Sequence, residues 1–117
     1  YDVEWGRQWV HERVARQGVA SLRGWGVLAG NDEIALGILQ AALDVGLHVP
    51  GDLRVIGFDD TRMCEIVRPR LSSVRVPMAE VGAAAVKSLI RRLEQPEEEA
   101  TCVRLPTKLV VRESSGD

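Results

Sequence analysis

The sequence predicts an α/β fold, a three-layer parallel sheet with flanking helices. Short apolar runs bounded by glycine alternate with longer segments whose apolar residues recur at helical spacing. Hydrophobic residues make up 45% of the chain but aromatic ones only 4%, and an aliphatic composition is typical of strands that helices cover on both faces. With 117 residues, the chain has room for one domain with a core of its own.

The first two elements are predicted to be a helix and a buried strand. Residues 3–17 mix apolar and charged side chains at helical spacing, and Gly18 is a suitable end for the helix. Residues 25–29 form a short apolar run between two glycines, which indicates a strand. The chain therefore enters the sheet near residue 25.

The next helix has a clear start signal. Asn31 is a strong N-cap candidate, and Asp32 and Glu33 are acids in the first turn, where the helix dipole favours them. The helix is predicted to run to about Val45. The apolar run at residues 53–58 then predicts a second strand, which completes a β-α-β unit with a right-handed crossover and parallel strands.

Parallel strands bring Asn31 and Asp59 to the same edge of the sheet, just past the carboxyl ends where open α/β sheets bind ligands. A carboxylate such as Asp59 can accept hydrogen bonds from two sugar hydroxyls, although it can equally cap a turn. The Asn31 amide can donate and accept, although N-capping alone explains it from the sequence. Asp60 should point the other way and have a structural role.

The rest of the chain is less regular. Residues 61–72 are expected to be irregular, Pro77 opens another helix, and the tail at 114–117 is expected to fray. Further short strands are predicted at residues 73–76, 103–106 and 108–111.

Composition argues against several functions. Fifteen basic and seventeen acidic residues give a net charge of −2 and leave no basic patch of the kind that a duplex-binding domain usually has. Cys64 and Cys102 have no histidine at ligand spacing, so we expect two reduced thiols in a cytoplasmic protein, with no metal and no cofactor. The sequence shows no secretory leader and no membrane span. It also shows no catalytic constellation, which predicts a protein that is not an enzyme.

Four segments, taken in order, carry a family resemblance. They are LAGNDEIALG at 28–37, VPGDLRVIGFDD at 49–60, PRLSSVR at 69–75 and LPTKLVVRES at 105–114. Together they resemble the effector-binding domain of the lactose/galactose repressor (LacI/GalR) family, which has a periplasmic-binding-protein-like core of type I. None of the four is specific alone, but the ordered set is.

The resemblance implies a ligand-sensing module that binds a sugar or related metabolite. In this family a helix-turn-helix headpiece precedes a two-lobed core, and the effector alters DNA binding. The chain resembles the C-terminal part of that core: about 1–70 and 103–113 would belong to the second lobe, and about 73–95 would cross to the first. DNA would be bound only through a headpiece absent from this chain. The alternative is a fragment of a periplasmic sugar-binding protein of a transport system.

The resemblance also implies individual roles. Asn31 and Asp59 would contact the ligand, and Tyr1 would stack on it, although a first residue can simply fray. Val76 departs from the family, which often has glutamine there, so the effector should differ from a simple galactoside. A homodimer is expected, and its interface residues would be Leu36, Leu39, Met63, Ile66 and Val67 unless these pack under the sheet.

Overall fold

The computed structural model describes residues 2–116, which fall into two compact units. The first unit contains the chain up to Arg75 and again from Lys108 onward. The second contains Val76–Thr107. No helix in the part that is described combines the length and the apolar character needed to cross a membrane.

A four-stranded sheet forms the centre of the first unit. Its strands lie in the order β1-β2-β3-β4; the first three are parallel, and β4 is antiparallel to β3. The strands are β1 at Trp25–Leu28, β2 at Leu53–Asp59, β3 at Ser72–Arg75 and β4 at Lys108–Val110. The helices are α1 at Val3–Gln17, α2 at Asp32–Asp44, α3 at Met63–Ile66 and α4 at Met78–Glu94, with 3-10 turns at Val19–Leu22 and Glu113–Ser115. The predicted α/β class, a mostly parallel sheet flanked by helices, is confirmed.

Helices α1 and α2 begin and pack as their sequences dictate. Side-chain oxygens of Asp2 and Asn31 accept hydrogen bonds from the first-turn amides of Trp5 and Ile34, which satisfies donors that a helix start leaves unpaired. The two helices approach so closely that a Cβ atom added to Gly37 would lie 1.9 Å from the carbonyl oxygen of Val3. Only glycine permits this contact.

The core joins these helices to the sheet. Leu53 and Val55 of β2 are fully buried while Arg54 between them is exposed, as expected when alternate residues of a strand face the core. Val10 of α1 and Ile38 of α2 belong to the same buried cluster. The strand β2 is thereby fixed against α2, and this sets where its carboxyl end lies.

Three details differ from the sequence-based expectation. The expected strand at 103–106 is not formed, and Pro106 has no N–H to contribute to a ladder. The interval 61–72, expected to be irregular, contains α3. The tail is anchored rather than frayed up to residue 116, because Ser114 is buried and its hydroxyl donates to the Val55 carbonyl at 2.6 Å.

The second unit is dominated by α4, which follows Pro77 as predicted. None of its residues is buried within the chain. Its large exposed apolar side chains are Met78, Val81, Val86, Leu89, Ile90 and Leu93. The helix is amphipathic, and its apolar side is exposed to solvent.

Replacing Gly37 by alanine should lower the free energy of unfolding by about 1–3 kcal/mol or more, because the new methyl group would overlap backbone that cannot rotate away. Gly82→Ala in α4 is the matched control: no described atom lies within 4 Å of the added Cβ, and alanine favours helix. Urea denaturation followed by circular dichroism measures both. Unchanged stability of Gly37→Ala would contradict the close contact of α1 with α2.

Candidate functional site

Asn31 and Asp59 lie at the same edge of the sheet. Leu28 of β1 pairs with Ile56 of β2, and each of the two candidate residues lies three positions further along its own segment. The parallel pairing continues past the end of β1, because the Ala29 amide donates to the Ile56 carbonyl at 2.8 Å. The structure therefore brings the two residues to neighbouring carboxyl ends, as the sequence predicted.

The backbone at Asp59 has an unusual conformation. Its φ angle is 103°, and that of Asp60 is 57°, both in the left-handed half of the φ range that L-residues rarely occupy. Such a conformation costs about 1–3 kcal/mol and persists only when the surroundings impose it. Asp59 itself is half-buried, and within residues 2–116 its carboxylate accepts no hydrogen bond and forms no ion pair. This carboxylate therefore retains its full capacity to accept hydrogen bonds.

The backbone amide and both carboxylate oxygens of Asp60 have partners. Its amide donates to the Ser73 hydroxyl at 3.0 Å, and its two carboxylate oxygens pair with Arg75 at 2.6 Å and Arg112 at 2.7 Å. Burial alone would raise the pKa of Asp60, but the hydrogen bonds and charges of the two arginines hold it below the usual aspartate value. The prediction that Asp60 is structural is confirmed.

Asp32 has a role that sequence analysis missed. Its buried carboxylate accepts hydrogen bonds from the Ser73 hydroxyl at 2.6 Å and from the Thr61 amide at 2.7 Å. It packs so tightly against β2 that a Cβ atom added to Gly57 would lie 2.3 Å from one of its oxygens. A glycine inside a strand signals a close approach of this kind and was the available clue.

The Asn31 side chain caps α2. Its oxygen accepts from the Ile34 amide at 2.8 Å, whereas its NH₂ group donates to none of the described residues. The capping role that the sequence suggested is thus present, and a donor remains for a second role. Ligand contact by Asn31 and by Asp59 stays a prediction.

The structure does not test the roles expected for Tyr1 and Val76 at the ligand site. Tyr1 lies outside the residues that the structure describes. Val76 is the first residue of the second unit and is half-buried there. The roles expected for both remain predictions.

The five residues expected at a dimer interface differ in burial. Leu36 and Leu39 are only 8% and 1% exposed, because they pack inside the chain itself, so they present no surface to a second copy. Ile66 is exposed, while Met63 and Val67 are half-buried. Only the segment around α3 remains a candidate for such a contact.

The cysteines are free, as expected. Burial, reinforced by the neighbouring Asp32 carboxylate, raises the pKa of the Cys64 thiol to about 12, so the thiol stays protonated and is a poor nucleophile at neutral pH. Cys102 is exposed. Among residues 2–116, no three His, Cys, Asp or Glu side chains are grouped so that they could hold a metal ion.

Comparison with known proteins gives one family match and several relatives. The periplasmic binding protein-like domain family matches residues 2–115. The catabolite control protein A of Priestia megaterium is 42% identical over 89 residues, which is 76% of this chain and 27% of that protein. The chain thus spans about a quarter of the length of this curated relative.

Solved structures agree with the sequence relatives. A LacI family transcriptional regulator from Enterococcus faecium, solved with bound ribose, matches 98% of this chain and 41% of its own length, with a TM-score of 0.80 and 31% identity. A LacI family regulator from Arthrobacter sp. FB24 in complex with lactose matches 97% and 41%, with a TM-score of 0.81 and 32% identity. Both similarities extend over nearly the whole chain.

The buried carboxylate of Asp32 can be tested against its exposed neighbour. Asp32→Ala should lower the free energy of unfolding by roughly 2 kcal/mol or more, since the Ser73 hydroxyl and the Thr61 amide both lose their acceptor. Glu33→Ala removes a charge from the same helical turn but should cost less than about 1 kcal/mol. Chemical denaturation of both variants gives the comparison, and equal losses would refute the proposed network.

The pKa of Asp60 predicts an acid-dependent loss of stability. The pKa of Asp60 in the folded chain lies below the usual aspartate value of 3.8, so its stabilising contribution is fully present well above pH 3.8. This contribution is lost as the pH falls through the pKa that Asp60 has in the folded chain. The difference in unfolding free energy between wild type and Asp60→Asn should therefore be constant near neutrality and shrink below about pH 4. A difference that grows on acidification, measured by urea titrations at several pH values, would refute this assignment.

Proposed function

Because the chain belongs to the periplasmic binding protein-like domain family, we propose that it is the effector-sensing part of a LacI-type transcriptional regulator and binds a sugar or related metabolite. The Asp59 carboxylate, which pairs with none of residues 2–116, carries this proposal. It lies with the Asn31 amide at neighbouring carboxyl ends of parallel strands, the edge at which open α/β sheets bind ligands.

The relatives support a regulatory role. Those described above are named as a catabolite control protein and as LacI family transcriptional regulators, and two of the regulator structures contain ribose and lactose. This favours a sensor over a component of sugar transport. The net charge of −2 gives the chain no electrostatic attraction for DNA, so operator binding is assigned to a segment outside it, and the site of action to the cytoplasm.

The chemistry we propose is recognition without covalent change. The Asp59 carboxylate accepts hydrogen bonds from ligand hydroxyls, and a charged acceptor makes such bonds about twice as strong as neutral ones. The NH₂ group of Asn31 donates to a ligand oxygen while its own oxygen stays on the helix cap. Because the backbone already holds Asp59 in place, binding costs little ordering entropy.

Regulation then follows from differential affinity. An effector that binds one conformation of the regulator more tightly shifts the population toward it and so changes the affinity for DNA. We propose that the full-length protein forms a homodimer with contacts at the exposed surface around Ile66.

The test is Asp59→Asn in the full-length protein. Sugar binding is measured by titration calorimetry with a panel that includes ribose and lactose, and the variant should bind the active sugar roughly 10- to 100-fold more weakly because it loses a charged acceptor. Operator affinity without sugar should not change. Asp44→Asn, at the other end of α2, is the charge-matched control and should bind like wild type. Unchanged binding by Asp59→Asn would overturn the proposed site.

A further inference from the structure

Residues other than Asp59 must impose the left-handed backbone conformation of Asp59. With a φ of 103°, the residue is in a conformation that an isolated chain avoids, and no described residue holds its side chain. The constraint must therefore act through its neighbours. Asp60 is the neighbour with the most contacts: its amide and both carboxylate oxygens are bound.

The two arginines that bind Asp60 are not equivalent. The Arg75 side chain is 54% exposed, so water and salt screen its charge and weaken its ion pair with Asp60. The Arg112 side chain is 11% exposed and that of Asp60 3% exposed, so their pair lies in a region of lower dielectric where the same charges interact more strongly. Arg112 is therefore the stronger of the two constraints.

Further hydrogen bonds hold both the side chain and the backbone of Arg112. Its guanidinium also donates to the Leu71 carbonyl at 2.8 Å. Its backbone amide donates to the Ser72 hydroxyl at 2.7 Å, and the same hydroxyl donates to its carbonyl at 3.0 Å. With the side chain tied to the residue before β3 and the backbone tied to β3, Arg112 can hold Asp60 without moving toward it.

We infer that Arg112 is the positioning residue of the proposed ligand site: through Asp60 it maintains the left-handed backbone of Asp59 and so fixes where the Asp59 carboxylate is presented. This inference rests on the proposed function for its biological meaning, but its physical content does not depend on any ligand. We assign Arg112 no contact with the ligand. It acts only by determining the backbone conformation one residue before its partner.

The experiment measures the Asp59 backbone directly. In isotope-labelled intact protein without ligand, the three-bond HN–Hα coupling and the Cα shift of Asp59 report its φ angle. Arg112→Met keeps a long apolar stem but removes the guanidinium, and it should move these values toward those of an ordinary residue with negative φ. Arg70→Met is the matched control. Arg70 forms an exposed ion pair with Glu113, the residue after Arg112, and loss of this pair should leave the backbone conformation of Asp59 unchanged.

Asp60→Asn keeps the inference testable if Arg112→Met fails to fold. It retains the shape of the side chain but removes the charge that Arg112 binds, and it should produce the same change at Asp59. A wild-type signal for Asp59 in a folded Arg112→Met or Asp60→Asn variant would overturn the inference.

Sugar affinity separates this inference from the proposed function. If both hold, Arg112→Met should weaken ribose or lactose binding roughly tenfold in the full-length protein, and adding Asp59→Asn should weaken it by less than the sum of the single effects. If Asp59→Asn alone leaves sugar binding unchanged, the proposed ligand site is wrong, while the backbone measurement still decides the role of Arg112. Additive losses would show that Arg112 does not act through Asp59.

Discussion

The buried carboxylate of Asp32 is the interaction on which the arrangement of the sheet edge depends. One side chain at the start of α2 binds the Ser73 hydroxyl on β3 and the Thr61 amide that follows β2. Ser73 in turn accepts from the Asp60 amide, so a continuous set of hydrogen bonds joins three elements. Gly57 leaves the space for it. Without this carboxylate, the buried Ser73 hydroxyl and the part-buried Thr61 amide would both lose their acceptor, which is costly.

The consequence is that stability and the proposed recognition are linked. The carboxyl end of β2 is strained at Asp59, and the surrounding hydrogen bonds and ion pairs stabilise the strained form. A fixed acceptor loses little entropy when a ligand binds, which is the general advantage of a preorganised site. The same network therefore supports the folded chain and sets the geometry of one carboxylate. Substitutions in this network should rarely affect the stability of the folded chain without also affecting the geometry of the Asp59 carboxylate.

Local patterns in the sequence were sufficient for most of the fold. Helical periodicity, the Asn31 cap and the glycines that bound the first strand predicted α1, β1, α2 and β2 close to their observed limits. The parallel direction of the two strands in the β-α-β unit placed Asn31 near Asp59. The ion pairs of Asp60 and the bonds of Asp32 join residues up to 52 positions apart, and no local pattern specifies such partners. For the same reason the sequence predicts a frayed tail at Ser114, which is in fact buried. The ligand contacts of Asn31 and Asp59 remain predictions.

The antiparallel pairing of β3 with β4 means that the chain leaves the first unit and returns to it at one place. Arg75 and Lys108 form the last pair of this ladder, and the whole second unit is inserted between them in the sequence. Since the entropy of closing a loop grows only slowly with its length, the length of the insert has little effect on the entropy cost of forming the β3–β4 ladder. This joint is therefore a natural site for grafting: a tight two-residue turn or an unrelated reporter domain could replace residues 76–107 while the β3–β4 ladder is retained.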